Sequence, residues 1–273
     1  MLEIVITVHD QKIVLEFERL GKYSDIPKYT YAFVGMGNCE LIRHLRNVIV
    51  VRDLPDNIEQ YKNLVDFTAW YAFAKNSLIQ SKFVALLQYD TAISPKFYEQ
   101  TLAYLTKEPA KMLGYQKWPI LDANFIENNV GAAPLADALR VAYDADLYQL
   151  VERHVEAKGD IGWPSSNNLA MSSKLLSEFV DWFSPMIQLL GPNLYSGHSF
   201  ERSMKIFCIL NNVENLYAPQ LAHHYQLNSH GTQGLSVDFE KEIKRVASNE
   251  LPSLSTLRGL KARLAKFIRT RLH

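Results

Sequence analysis

Hydrophobic residues near the N-terminus fall in short runs that predict buried strands. The first run, Leu2–Val8, is rich in β-branched residues and has no basic residue in front of it, so it predicts a strand and not a signal peptide. Similar patterns, most of them followed by turn-forming residues, predict five more strands. These lie at 29–34, 47–51, 81–87, 169–171 and 217–221.

Between these runs the apolar residues recur at the spacing of a helix. Helices are predicted at 40–46, 63–76, 96–107, 173–190 and 200–210, with further helical pattern over 133–156. Strands that alternate with helices are typical of an α/β sheet with parallel crossovers. We therefore expect one α/β domain over 1–251.

The composition narrows the class of protein. The chain has 273 residues, of which 48% are hydrophobic and 21% charged, as in an ordinary globular protein. Its two cysteines, Cys39 and Cys208, exclude a disulfide framework and a multi-cysteine zinc site within one chain, which favours a reducing compartment. No apolar run is long enough to span a bilayer.

The formal net charge is zero, but the basic and acidic residues are unevenly distributed along the chain. Six of the 29 basic residues and none of the 29 acidic residues lie in 252–273, so 1–251 carries an excess of acid. Apolar residues in 252–273 recur at helical spacing, which predicts a basic amphipathic helix. Such a helix suits an anionic membrane surface; a helix docked on the body or on a partner protein is the alternative. Nucleic acid is not expected, because few aromatic residues accompany the charge.

Several common catalytic motifs are absent. Gly35-Met36-Gly37 lacks the third glycine of a dinucleotide-binding loop, and no Gly-Lys-Ser/Thr sequence occurs. The stretch 197–201 has Glu201 where a serine hydrolase has its second glycine. Neither a His-Glu-x-x-His helix nor a Cys-x-x-Cys pair is present, so a zinc hydrolase has no support.

An acidic residue, Asp90, follows the predicted strand 81–87. Ligands of open α/β sheets bind beyond the carboxyl ends of the strands, where a carboxylate can hold a hard divalent cation next to a diphosphate. The alternative is that Asp90 only caps the following turn.

Three histidines, His223, His224 and His230, lie within eight residues after a predicted strand. They could complete a metal site with Asp90, and His230 and then His223 are the preferred candidates; a histidine-rich surface loop is the alternative.

Polar residues elsewhere are candidates for catalysis and sugar binding. Glu201, expected in the first turn of the helix 200–210, could deprotonate a sugar hydroxyl or merely cap that helix, and Arg202 could pair with it or with phosphate. Trp163, Asn167 and Asn168 could contact sugar, or form an ordinary turn with a core tryptophan. Asp66 is a further binding candidate on the aromatic-rich helix 63–76.

Taken together, these segments resemble bacterial GT-A-type glycosyltransferases of surface polysaccharide synthesis (O-antigen, lipopolysaccharide or capsule). The resemblance spans about 1–235 in order, and Gln88-Tyr89-Asp90 stands where the family has its Asp-x-Asp element, with only the last aspartate kept. The segments that carry it are 7–10, 67–76, 87–90, 93–95, 199–202 and 223–230.

The resemblance implies a GT-A-like, Rossmann-type mixed sheet flanked by helices, and a hexosyltransferase that uses a nucleotide sugar, most readily a UDP-sugar. It implies Glu201 as the base, Asp90 with His230 or His223 as ligands of Mn²⁺ or Mg²⁺, and a glycan or lipid-linked glycan as acceptor. The nucleotide sugar is expected to contact His9, Asp10, Asp66, Gln88, Tyr89, Asp90, Trp163, Asn167, Asn168 and Arg202.

The expected location is the cytoplasm, on the inner face of the cytoplasmic membrane, with 252–273 at the lipid surface. Two other functions stay open at this point. One is a catalytically inert GT-A-like module that binds a glycan or a partner at the membrane, and the other is a nucleotidyltransferase.

Overall fold

The computed structural model of the protein describes residues 1–118, 131–158, 163–164, 167–225, 227 and 239–251. The predicted helix in 252–273 and the candidate ligand His230 lie outside the described residues. Strands are β1 (Leu2–Val8), β2 (Tyr29–Phe33), β3 (Val48–Val50), β4 (Phe83–Gln88), β5 (Thr91–Ile93), β6 (Met112–Gly114), β7 (Lys117–Trp118), β8 (Trp163–Pro164), β9 (Leu169–Ser172), β10 (Asn215–Tyr217) and β11 (Ala222–His224). Helices are α1 (Gln11–Leu20), α2 (Asp66–Lys75), α3 (Phe97–Lys107), α4 (Ala132–Tyr143), α5 (Leu147–Lys158), α6 (Ser173–Phe183), α7 (Ile187–Leu190), α8 (Ser196–Leu210) and α9 (Phe239–Ala247), and three short 3₁₀ helices occupy Val51–Asp53, Lys62–Leu64 and Ser184–Met186.

Seven of the described strands form one mixed sheet in the order β10-β6-β9-β4-β1-β2-β3. Strands β4, β1, β2 and β3 run parallel to one another, β9 runs antiparallel to both β4 and β6, and β10 is parallel to β6. Two pairs of strands lie apart from this sheet: β5 with β11, and β7 with β8. The mixed α/β fold predicted from the sequence is confirmed.

Helices cover both faces of the sheet, which explains the continuous apolar run of β1. Alternate side chains of a strand point to opposite faces, so Val5 packs in one hydrophobic cluster while Ile4 and Ile6 pack in the other. The first cluster contains residues of α2, α4, α5, α6 and α8, and the second contains residues of α1, α3 and α9. Each fully buried side chain of this kind contributes about 1.5–3 kcal/mol through removal from water.

Two local predictions are wrong. Residues 40–46 form turns instead of a helix: the side chain of Asn38 accepts from the Glu40 backbone N–H, and such local bonds compete with a helix. Of the strand predicted at 217–221, only Tyr217 lies in a strand, β10, and 218–221 form the turn before β11. Pro219, which has no N–H to offer a strand ladder, lies in that turn.

Helix α8 begins four residues earlier than predicted, at Ser196. The side chain of Asn193 accepts from the backbone N–H of Tyr195, and the backbone carbonyl of Asn193 accepts from the N–H of Ser196. Glu201 therefore lies in the second turn and not, as expected, in the first. Capping of the helix does not explain a carboxylate at this position.

The helices that the structure describes include none that combines the length and the apolar character needed to cross a membrane.

Candidate functional site

Asp90 lies where β4 ends and the chain turns into β5, at the centre of the carboxyl edge of the sheet. Its backbone carbonyl accepts from the N–H of Tyr225, and its Oδ2 accepts from the N–H of Leu227 at 2.8 Å. Both partners come from the segment after β11, which is antiparallel to β5. Residues 135 and 137 positions away along the chain thus meet Asp90 at the end of the central strand.

His224 forms the closest charged contact of Asp90. Its Nε2 lies 2.9 Å from Asp90 Oδ1, and both side chains are almost fully buried. The other ring nitrogen, Nδ1, is buried and has no hydrogen-bond partner among the described residues. In the protonated imidazole that nitrogen is a donor, so it can bind an anionic or carbonyl oxygen.

The two pKa values move in opposite directions. Burial alone would raise the pKa of Asp90, but the charge and hydrogen bond of His224, with the N–H of Leu227, outweigh burial and lower it. Burial alone would lower the pKa of His224, but Asp90, and at longer range Asp66 and Glu201, outweigh burial and raise it. Both shifts favour the charged forms, the carboxylate of Asp90 and the imidazolium of His224.

A second polar cluster adjoins this pair. Asp66, at the start of α2, is buried and accepts hydrogen bonds on Oδ2 from the amide of Gln88 and, at 3.1 Å, from Nδ2 of Asn167. Burial raises the pKa of Asp66 and outweighs these two donors, with the charge of Asp90 adding to the rise and His224 opposing it. Asn167 adopts φ of 53°, a left-handed conformation that asparagine tolerates well.

Asn168 fixes the backbone between these clusters. Its Oδ1 accepts from the backbone N–H of Gln88 at 2.7 Å and from the hydroxyl of Thr91 at 2.9 Å. One buried side chain thus ties the last residue of β4 to the first residue of β5, on either side of Asp90.

Glu201 and Arg202 approach the site from α8. The carboxylate of Glu201 is half-buried, and its Oε2 lies 3.9 Å from Nη1 of Arg202. Arg202 also donates to the carbonyl of His198, and burial lowers its pKa to about 10 against the charge of Glu201. The charge of Glu201 also contributes to the raised pKa of His224.

The other side of the site is formed by the end of β1. The ring of His9 meets the ring of Tyr89 edge-on, with 4.9 Å between centroids, and Asp10 caps α1 by accepting from the N–H of Lys12. The loop after β2 lies against His9, since a side chain on Gly37 would come within 3.0 Å of the His9 carbonyl. Arg52 holds this loop by donating to the carbonyls of Gly35 and Gly37.

Of the predicted metal ligands Asp90, His223 and His230, the last lies outside the described residues, and His223 does not contact Asp90. His224, and not His223, contacts the carboxylate of Asp90, because neighbouring residues of a strand point to opposite sides. The ring of His223 instead packs edge-on against Tyr225. No group of three His, Cys, Asp or Glu side chains in the described part of the chain is arranged to hold a metal ion. Asp90 and His224 do not by themselves make a divalent-cation site.

Sequence reasoning placed Asp66, Gln88, Asp90, Asn167 and Asn168 in the site, and the structure brings these five together. The backbone of Trp163 pairs with that of Trp118 in the small β7–β8 sheet. His224 was passed over in favour of its neighbours. Extension of the strand to 224 would have identified it, because alternation then separates His224 from His223 and places it with Ala222, whose side chain is buried.

The comparisons with known proteins agree with this fold. No protein-family model matches the chain, and no curated protein matches its sequence. Among solved structures, it superposes on the apo form of WbbM, a bifunctional glycosyltransferase, with a TM-score of 0.52 and 15% identity. The chain shares its fold with a glycosyltransferase. The match covers 81% of this chain and 45% of WbbM, so the chain spans less than half of that protein. At this identity the likeness concerns the fold alone.

Proposed function

We propose that the protein is a GT-A-type glycosyltransferase that moves a hexosyl group from a nucleotide sugar to a growing surface polysaccharide. The observation that carries the proposal is the buried Asp90–His224 pair at the carboxyl end of β4. Ligands of open α/β sheets bind at this edge. The shared fold with WbbM supports the same reading.

The proposed reaction assigns a role to each part of the site. The acceptor hydroxyl attacks the anomeric carbon of the donor, its proton passes to Glu201, and the bond between that carbon and the diphosphate oxygen breaks. The leaving nucleoside diphosphate takes the electron pair and accepts a hydrogen bond from Nδ1 of His224. The amides of Asn167 and Asn168 lie on the sugar side, and His9 with Asp10 lies on the nucleotide side.

Donor, acceptor and location belong to the same proposal. The donor is a UDP-sugar and the acceptor a glycan on a lipid carrier. The enzyme then lies in the cytoplasm on the inner face of the cytoplasmic membrane, held by the basic segment 252–273. Flotation with anionic liposomes tests the location: the full chain should float, and replacement of the six Lys and Arg residues of 252–273 by Gln should abolish flotation. Undiminished flotation of that variant would remove the segment as the anchor.

The activity is tested with a panel of nucleotide sugars, with and without Mn²⁺ or Mg²⁺. We expect one nucleoside diphosphate to raise the melting temperature and its sugar conjugate to be hydrolysed or transferred. Because His224 and His223 are adjacent but only His224 contacts Asp90, His224→Gln should remove the thermal shift and His223→Gln should retain it. Failure of every nucleotide to shift the melting temperature, in both metal conditions, would refute the proposal.

The role of Glu201 separates an enzyme from an inert binding module. Glu201→Gln should retain the nucleotide-induced thermal shift and lose turnover by a factor of about 10²–10⁴, the usual contribution of a general base. Glu178→Gln is the matched control, since Glu178 lies exposed on α6 and pairs with Lys174. Nucleotide binding with no turnover by the unaltered protein would favour the inert GT-A-like module, which the replacement of the first aspartate by Gln88 also suggests.

A further inference from the structure

The β5–β11 pair that carries the site is too small to hold itself together. Each strand has three residues, and among the described strands the two pair only with each other. A two-stranded unit of this size is marginal in water. Yet this pair sets the distance between Asp90, which precedes β5, and His224, which ends β11. Something outside the pair must therefore fix it.

The contacts that fix it come from α9 and the turn after it. Buried Lys22 donates through Nζ to the carbonyl of Thr91 in β5 at 2.7 Å and to the carbonyl of Val246 in α9 at 2.8 Å. Its ammonium also lies 4.5 Å from the centre of the Phe17 ring. A lysine this deeply buried is costly unless its donors are satisfied, so these bonds hold β5 and α9 in one geometry.

Asn249 supplies the second connection. Its Oδ1 accepts from the backbone N–H of Ile93, the last residue of β5, at 3.1 Å, and its Nδ2 donates to the carbonyl of Lys22 at 3.2 Å. Its φ of 53° turns the chain after α9 so that the side chain reaches the strand. The Asn249 side chain thus accepts a hydrogen bond from a backbone N–H of β5, as a neighbouring strand would do.

The third connection reaches the segment after β11. The hydroxyl of Tyr225 donates to the carbonyl of Glu250 at 2.6 Å, and the guanidinium of Arg245 lies 5.1 Å from the centre of the Tyr225 ring. Tyr225 is the residue whose N–H donates to the Asp90 carbonyl. Contacts from 245–250 therefore reach β5 and Tyr225, the residue after β11 that binds the Asp90 carbonyl.

We propose that the segment 239–250 is a clamp, with Lys22 and Asn249 as positioning residues that hold His224 against Asp90. No clamp contact described here touches the space beside Asp90 directly; the clamp acts through the β5–β11 pair. The inference rests on the proposed function only where it concerns nucleotide binding.

The test uses the full chain with Asn249→Gly, which removes both side-chain bonds and keeps the backbone free to adopt the left-handed conformation. Asn212→Gly is the matched control, because Asn212 also has a left-handed φ, of 54°. It lies just after the C-terminal end of α8, whereas Glu201 lies near the N-terminal end of that helix. The imidazole signals of His224 are recorded by NMR and assigned by their loss in His224→Gln. We expect them to shift in Asn249→Gly and to stay unchanged in Asn212→Gly.

Nucleotide affinity provides the second readout. In metal sites, loss of a residue that orients a ligand costs about 10–100-fold in affinity or activity. By analogy with the lower end of that range, we expect about tenfold weaker nucleotide binding in Asn249→Gly. If that variant does not fold, Tyr225→Phe removes one clamp bond, retains the ring, and should give a smaller change of the same kind.

The outcomes separate the two proposals. Unchanged His224 signals in the folded clamp variants, or equal changes in Asn212→Gly, would overturn the clamp. Shifted His224 signals in a protein that binds no nucleotide would support the clamp and refute the proposed function.

Discussion

The ion pair between Asp90 and His224 makes a quantitative prediction about stability. At about 3 Å and an effective dielectric constant of about 20, two unit charges attract by roughly 5 kcal/mol, and desolvation offsets much of this. Loss of one partner from a buried pair costs about 3–5 kcal/mol, because the other is left uncompensated. We expect Asp90→Asn and His224→Gln each to lower the free energy of unfolding by about 3 kcal/mol, and the double variant by about 2 kcal/mol less than the sum.

The pH dependence of this coupling follows from the directions of the two pKa shifts. The pKa of His224 is raised, so its contribution is complete below about pH 6.5 and is lost as the pH rises through the folded-state value. The pKa of Asp90 is lowered, so its contribution is complete above about pH 4 and is lost as the pH falls through the folded-state value. The coupling should therefore be full near pH 5.5 and smaller at an alkaline pH above the folded-state pKa of His224, which an NMR titration of its imidazole locates.

Urea unfolding of the four proteins, followed by tryptophan fluorescence, measures the coupling at both pH values. The cycle of Asp90→Asn with His223→Gln is the control, since His223 does not contact the carboxylate, and it should give less than about 0.5 kcal/mol. A coupling below about 0.5 kcal/mol between Asp90 and His224 near pH 5.5, or equal couplings at the two pH values, would refute the ion pair.

Three further substitutions test the backbone around the site. Val65 has φ of 46°, a strained conformation for a β-branched residue, and its side chain is exposed, so Val65→Gly should raise the free energy of unfolding by about 1 kcal/mol in urea titrations; a loss would argue against the strain. A side chain on Gly131 would lie 2.6 Å from the backbone nitrogen of Ser199, so Gly131→Ala should lower the melting temperature, with a cost of about 1–3 kcal/mol, and an unchanged value would contradict this packing. Asn167→Gly keeps the left-handed backbone but removes a donor to Asp66, so the pKa of Asp66 should rise further in a carboxyl NMR titration; a fall would contradict the assigned hydrogen bond.

The sequence predicted those features that depend on neighbouring residues. Leu2–Val8 is recognisable as a strand because its own composition requires burial on both faces. Asp90 is recognisable because it follows a buried strand. The sequence does not identify His224 as the partner of Asp90. That contact depends on the register of β11 on β5, and register is set by contacts between segments distant in sequence.

The clamp residue Lys22 could not be predicted from the sequence for the same reason, because its contacts are with distant segments. Lys22 lies just past Gly21, the left-handed residue that ends α1, where sequence patterns predict an exposed basic side chain. Its burial results from the packing of α1, β5 and α9, which lie far apart along the chain. No local pattern distinguishes it from an ordinary surface lysine.

Charge connects the stability of the site to its proposed activity. Asp90 is balanced by His224, Glu201 lies near Arg202, and the raised pKa of Asp66 moves that carboxyl toward its neutral form. A diphosphate brings negative charge into a region that is otherwise nearly balanced, and the proton on Nδ1 of His224 is the donor that the pair leaves available. Loss of that proton removes both the attraction to Asp90 and the donor to the diphosphate. Stability and nucleotide binding should therefore weaken together as the pH rises through the pKa of His224, which makes a single titration the physical link between the fold and the proposed reaction.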